Sequence, residues 1–133
     1  MLPSKHLNML SRNIIGCAIE VHRRLGPGLL ESVYEEAMCM ELSHAGLEFL
    51  RQMPVPILYR GKELATPLKL DLLVSQEVIV ELKSVEVILP VHGAQLLSYL
   101  RLTGKDLGLL LNFNVPVLKE GVRRIMRRFP SQE

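Results

Sequence analysis

Residues 68–83 read Leu-Lys-Leu-Asp-Leu-Leu-Val-Ser-Gln-Glu-Val-Ile-Val-Glu-Leu-Lys, two apolar-rich runs of strand length separated by a polar break. This pattern predicts a β-hairpin. With the turn centred on Gln76, Asp71 falls opposite Glu81, Leu73 opposite Ile79 and Lys69 opposite Lys83. Side chains alternate along a strand, and directly opposed residues project to the same side. One face is therefore predicted to be apolar, with Leu68, Leu70, Leu72, Val74, Val78, Val80 and Leu82. The other face carries Lys69, Asp71, Glu81 and Lys83.

Opposed carboxylates have Cβ atoms only about 4.5 to 5.5 Å apart, an unfavourable arrangement unless something cationic sits between them. A divalent metal would resolve the conflict, because hard cations such as magnesium take one or two carboxylates and complete their shell with water and substrate phosphate. Lys83 shares the face of Glu81, where its ammonium could hold a water or a developing negative charge. The competing reading is a solvated strand face with alternating charges, which antiparallel sheets commonly have.

A chain of 133 residues suits one domain, spanning residues 1–133, with a core that buries roughly two thirds of the unfolded surface. Apolar residues make up 48% and charged residues 23%, values that exclude a disordered chain. Cys17 and Cys39 fall in predicted helices among apolar neighbours, which suggests reduced thiols and a cytoplasmic setting. No leader-like segment opens the chain, and no apolar run approaches the roughly 20 residues that span a bilayer. The net charge of +2 neither demands nor excludes a polyanion partner. His22, His44 and His92 lack metal-ligand spacing.

Leu7, Leu10, Ile14, Ala18, Val21 and Leu25 recur at helical spacing and predict an amphipathic helix ended by Gly26-Pro27-Gly28. A second helix is expected to about Ala45, lined on one side by Leu30, Val33, Ala37, Met38 and Met40, with Glu31 and Glu35 one turn apart on another side. Phe49, Val55, Ile57 and Tyr59 alternate, but Pro54 and Pro56 confine them to an edge or interrupted strand. Arg60-Gly61-Lys62 predicts a turn. After the hairpin, Pro90 opens a third helix that ends at Gly104, with Gln95 and Tyr99 four apart on one face. Leu107–Phe113 reads as a strand buried on both faces. The tail from Val115 to Phe129 suits a helix or a strand, and either way Arg123, Arg124, Arg127 and Arg128 are expected to form a basic patch.

The segment from Gly28 to Tyr34, with Glu31 between them, is a GxxExxY motif. With Ile14-Ile15-Gly16, Val21-His22, Tyr59-Arg60-Gly61, Asp71, Glu81-Leu82-Lys83, Gln95 to Tyr99 and Asn112-Phe113, the chain resembles the GxxExxY family of small prokaryotic proteins within the PD-(D/E)XK nuclease superfamily. The resemblance implies a restriction-endonuclease-like α/β (α+β) core: a central mixed sheet of four to five strands, flanked by helices, with two N-terminal helices before it. It aligns Asp71 with the first acidic residue of the motif, and Glu81 and Lys83 with its ExK. No proline precedes Asp71, and Asn114 stands where the family usually has glycine.

From the resemblance, Asp71, Glu81 and Lys83 are expected to be catalytic. Magnesium or manganese would be held by Asp71, Glu81, Glu31 and the backbone carbonyl of Leu82. Gln95 and Tyr99 resemble the QxxxY helix motif of RecB-type nucleases and would contact substrate or brace the site. Tyr34 is expected behind the site rather than in it. The implied activity is hydrolysis of nucleic acid, most readily DNA, with the arginines of the tail as phosphate contacts. Cutting both strands of a duplex would favour a homodimer. The alternative is a binding module for nucleic acid or protein on a nuclease-like fold.

Overall fold

The structure, a computed structural model, describes residues 4–127. Arg128 and Phe129, both singled out above, lie outside the described residues.

Helix α1 (Lys5–Leu25) begins where the Ser4 hydroxyl accepts a hydrogen bond from the Leu7 N–H at 3.1 Å, a side-chain cap for an otherwise orphaned donor. Its predicted stripe is the one buried: Leu10, Ile14, Ala18 and Val21, joined by Cys17. It ends at Gly26, and Gly26 and Gly28 both have positive φ, 71° and 97°, which a side chain would resist.

Helix α2 (Glu31–His44) presents a different face from the expected one. Leu30 and Met40 are 73% and 69% exposed, and Val33 is exposed too, whereas Tyr34, Glu35, Met38 and Leu42 are buried. Of the expected side only Met38, with Ala37 partly, packs inward, because apolar residues occur all round this helix and periodicity points to more than one face. Tyr34 settles it by stacking on Phe113, with ring centroids 4.4 Å apart.

The main sheet has five strands in the order β1-β4-β5-β6-β7. They are β1 (Phe49–Val55), β4 (Leu68–Val74), β5 (Val78–Lys83), β6 (Leu107–Asn112) and β7 (Val122–Met126). A separate ribbon pairs β2 (Leu58–Tyr59) with β3 (Lys62–Glu63). Only β5 and β6 run parallel, joined by helix α3 (Pro90–Thr103) as such a pair requires. Pro54 sits in β1, at the sheet edge where a missing ladder donor is tolerated.

The hairpin has the predicted register: Leu72↔Val80, Leu73↔Ile79 and Val74↔Val78 are partners. Ser75 and Gln76 make the turn with φ of 52° and 62°, the sign that a tight I′ hairpin turn needs at both central positions.

Both faces of the sheet are covered. Leu72, Val74, Val78, Val80, Leu82, Leu107, Leu109 and Leu111 pack with α1 and α2, whereas Leu73, Ile79 and Leu110 pack with Leu96, Tyr99 and Leu100 of α3. Gly108 lets α3 approach β6, because a Cβ there would lie 2.8 Å from the Leu96 side chain.

The predicted single apolar face is corrected at one row. Leu68 and Leu70 belong to the α3 side with Leu73, not to the side of Leu72 and Val74. Partner strand β1 changes side in the same way: Phe49 packs toward α1 and α2, Met53 and Val55 toward α3. Between them the β1–β4 ladder skips Gln52 and Asp71, and Gln52 has φ 52°. A left-handed residue reverses the alternation, so both strands turn over at the row of Asp71.

The ambiguous tail resolves into a 3-10 turn, Leu118–Gly121, followed by β7 antiparallel to β6. Strand geometry wins because Val122 and Met126 then pack on the α1 side and Ile125 on the α3 side.

Candidate active site

Past Leu72↔Val80, the ladder between β4 and β5 gives way to side chains. The Asp71 N–H donates to Glu81 Oε2 at 2.8 Å, and the Leu82 N–H donates to Asp71 Oδ2 at 2.8 Å. Each carboxylate thus takes a backbone donor of the opposing strand. Two acids wedged between diverging strands keep the amides satisfied where the ladder opens.

The pair is not a solvated strand face. Glu81 is only 6% exposed, and burial, with the charge of Asp71 next, pushes its carboxyl up to about 8. Asp71 is raised as well, chiefly by burial and then by the charge of Glu35, against the Leu82 N–H, Lys83 and Gln52, which lower it. Desolvation and like charge act in the same direction on both groups. Lys83, half-buried, contributes a stabilising charge to each but makes no ion pair among the described residues.

Glu35 was missed as a site residue. It is 8% exposed, accepts from Arg51 Nε and Gln52 Nε2 at 2.7 Å each, and its charge raises both Asp71 and Glu81. Gln52 also donates to Asp71 Oδ1 at 3.4 Å, so the left-handed residue links the helix acid to the strand acid. The available signal was the position of Glu35 one turn after Glu31.

Glu31 is exposed and accepts from the Ser84 N–H at 3.3 Å, immediately after Lys83. Ser84 Oγ donates to the Leu29 carbonyl at 2.6 Å. The Tyr34 hydroxyl donates to the Gly26 carbonyl at 2.5 Å and accepts from the Leu29 N–H. The GxxExxY segment is therefore a clip: its tyrosine shapes the turn before α2, and its glutamate and turn hold the end of β5. Asn112 fixes the next loop by pairing its amide with both Val85 N–H and Val85 carbonyl.

On α3, Tyr99 is buried beside the pair, and its hydroxyl is raised by burial first and by the charges of Glu81 and Asp71 next. Gln95, one turn earlier, is exposed. His92 caps the helix by accepting from the Leu89 N–H through Nδ1 at 3.0 Å.

The expected single arginine patch is not formed by the described residues. Neighbouring residues on a strand point to opposite faces, so Arg123 and Arg124 separate; Arg124 bonds Asn8 Oδ1 on α1, and Arg127 pairs with Asp106 at 2.8 Å. Arg123 shares a row with Glu81 through Leu110, two strands or roughly 10 Å away.

The donors suit a hard divalent cation: a buried carboxylate, Glu81, and a half-buried one, Asp71, on adjoining strands, all oxygen. Among the described residues no three His, Cys, Asp or Glu side chains are arranged to hold an ion by themselves, a donor set compatible with an ion that keeps waters and takes phosphate oxygens. No described helix is long and apolar enough to cross a membrane.

A family model described as the PD-(D/E)XK nuclease superfamily matches residues 8–125. No curated protein and no solved structure gives a match.

Proposed function

The chain belongs to the PD-(D/E)XK nuclease superfamily, and from that premise we propose that it is a metal-dependent phosphodiesterase acting on nucleic acid, with DNA as the first substrate to try. The observation that carries this reading is the pairing of buried Glu81 with half-buried Asp71 at the opening of the β4–β5 hairpin, with Lys83 on the same strand as Glu81. Apolar side chains would serve the fold better at this opening, since burial raises the proton affinity of both acids and the charge of Asp71 raises that of Glu81 further.

Asp71, Glu81 and the Leu82 carbonyl would hold magnesium or manganese, with Glu31 as the further ligand that the GxxExxY resemblance implies. Glu35 would bias the site electrostatically from the α2 side. When bound, the ion would lower the pKa of a water and neutralise charge on the scissile phosphate. Lys83 would orient the attacking water and stabilise charge that develops on the phosphate. Tyr99 would brace Glu81 from α3, and Gln95, exposed on the same helix, would meet the substrate. Arg123 is the tail arginine best placed for a phosphate contact, because it lies in the row of Glu81 and is not held by an acid among the described residues.

The test is cleavage of labelled DNA and RNA in manganese by the parent and by Lys83→Ala, beside calorimetric titration of manganese into both. Removal of a positioned proton-transfer group lowers rates on the order of 10²- to 10⁴-fold, so Lys83→Ala is expected to lose cleavage and keep metal binding. Full activity in that variant would sink the assignment. Salt-sensitive binding without turnover, surviving Asp71→Ala, would instead identify a binding module on this fold.

A further inference from the structure

The ribbon β2–β3 takes no part in the main sheet. Its turn residues Arg60 and Gly61 have φ of 51° and 82°, as a two-residue I′ turn requires. The Leu64 N–H donates to the Ile57 carbonyl at 2.8 Å and closes its base. All four strand residues are exposed.

Exposure here falls on the wrong residue types for a simple connector. Tyr59 is 63% exposed, while each other aromatic among the described residues, Tyr34, Phe49, Tyr99 and Phe113, is buried or half-buried. Leu58 is exposed as well. Apolar groups left in water add nothing to the core, and clustered ones mark contact surfaces. A polar pair would close the same ribbon.

The pairing sorts its side chains. Tyr59 lies directly opposite Lys62, and Leu58 opposite Glu63, so the ring and the ammonium share one face and the acid lies on the other. Arg60 at the tip and exposed Lys69 at the start of β4 add positive charge. β4 starts at Leu68, at the end of the β4–β5 hairpin opposite its turn. The ribbon therefore leaves the sheet at the end where the carboxylates lie, and Leu68 is three residues, or about 10 Å, from Asp71.

We propose that this ribbon is a grip for single-stranded nucleic acid, with Tyr59 stacking on an unpaired base and Lys62 and Arg60 holding the adjoining phosphates. An aromatic face with cations beside it suits a strand whose bases are free to stack, whereas a duplex keeps its bases stacked on one another. The proposal rests on the nuclease reading for its substrate class and deepens it: the chain leading into the site is unpaired.

Fluorescence anisotropy of the 133-residue chain, in chelator so that nothing is cut, would compare labelled oligothymidylate with a blunt duplex of equal length. The parent is expected to prefer the single strand. Tyr59→Ala should weaken that affinity on the order of tenfold and leave the duplex unchanged, while Tyr59→Trp retains it. Lys62→Ala should reduce the slope of log affinity on log salt by about one. Unchanged melting temperatures would show that the exposed substitutions leave the fold intact. Parent-like single-strand affinity in Tyr59→Ala, or a parent that prefers duplex or binds neither, would overturn the grip. Cleavage in manganese separates the two readings: a parent that cuts while Tyr59→Ala binds and cuts normally loses the grip alone. A parent that holds single strands through Tyr59 but cuts nothing loses the nuclease reading alone.

Discussion

The two ends of the β4–β5 hairpin are built from the same two strands under the same register, yet they do opposite things. Toward the turn, Leu72, Leu73 and Val74 pair with Val80, Ile79 and Val78, all buried under α1, α2 or α3. Toward the opening, Asp71 and Glu81 replace ladder contacts with side-chain bonds to the opposing backbone. The closed end stabilises the fold through apolar burial. At the open end burial and like charge disfavour the ionised acids, a cost that the proposed cation would relieve.

The largest expected effect on stability lies at the closed end. Leu72→Ala or Ile79→Ala would leave a cavity between fully buried neighbours and lower stability by about 2 to 5 kcal/mol, measured by urea denaturation. A loss below about 1 kcal/mol would mean that this end is not the anchor the comparison makes it.

Next comes the open end with metal. Manganese at a hundred times its dissociation constant should raise stability by about 2.7 kcal/mol, read as a shift in thermal unfolding near pH 8. Asp71→Asn combined with Glu81→Gln should abolish the shift, while Leu72→Ala, destabilised throughout, should keep it. A shift that persists in the double variant would move the ion elsewhere.

The pH dependence in chelator is smaller per unit and opposite in sign to that of a paired carboxylate. Glu81 in the folded chain titrates near 8 instead of at its ordinary 4.5, so the folded state holds a proton that the unfolded state releases. The stability from this group is complete below 4.5 and is lost as pH rises to 8, by at most about 1.4 kcal/mol per pH unit. Glu81→Gln should flatten that part of the profile and be the more stable protein at neutral pH. A parent profile as flat as that of the variant would show that burial does not disfavour the charge.

The smallest effect belongs to an exposed contact outside the hairpin. Arg124→Ala removes the bond to Asn8 and should change stability by no more than about 0.5 kcal/mol. A larger loss would make β7 part of the anchor.

The order of the two N-terminal helices, the hairpin, α3 and β6, and the register of the hairpin, were legible because hydrophobic periodicity and a polar break are local signals; the β2–β3 ribbon and the strand form of the tail were not. The helix bounds followed equally from Gly26, Pro90 and Gly104. The acids at Asp71 and Glu81 and the lysine at Lys83 were legible for the same reason, since opposed residues are fixed once the turn is fixed. The buried face of α2 was not, because Leu30, Val33 and Met40 are as apolar as Met38 and Leu42, and only Phe113, far along the chain, selects Tyr34. Nor was the splitting of the arginines, which depends on β6 offering an edge that draws the tail into a strand.

By itself the sequence determined which residues pair across β4 and β5, where the helices stop, and that two acids and a lysine gather at one end, for these follow from spacing along a chain of fixed geometry. Tertiary structure alone decided that the strands turn over at the row of Gln52 and Asp71. It alone brought Glu35 against the pair and took Glu81 out of water. Those outcomes depend on the backbone of β1 and the seating of α2 and α3, and a charge acquires its energy from the surroundings that packing provides.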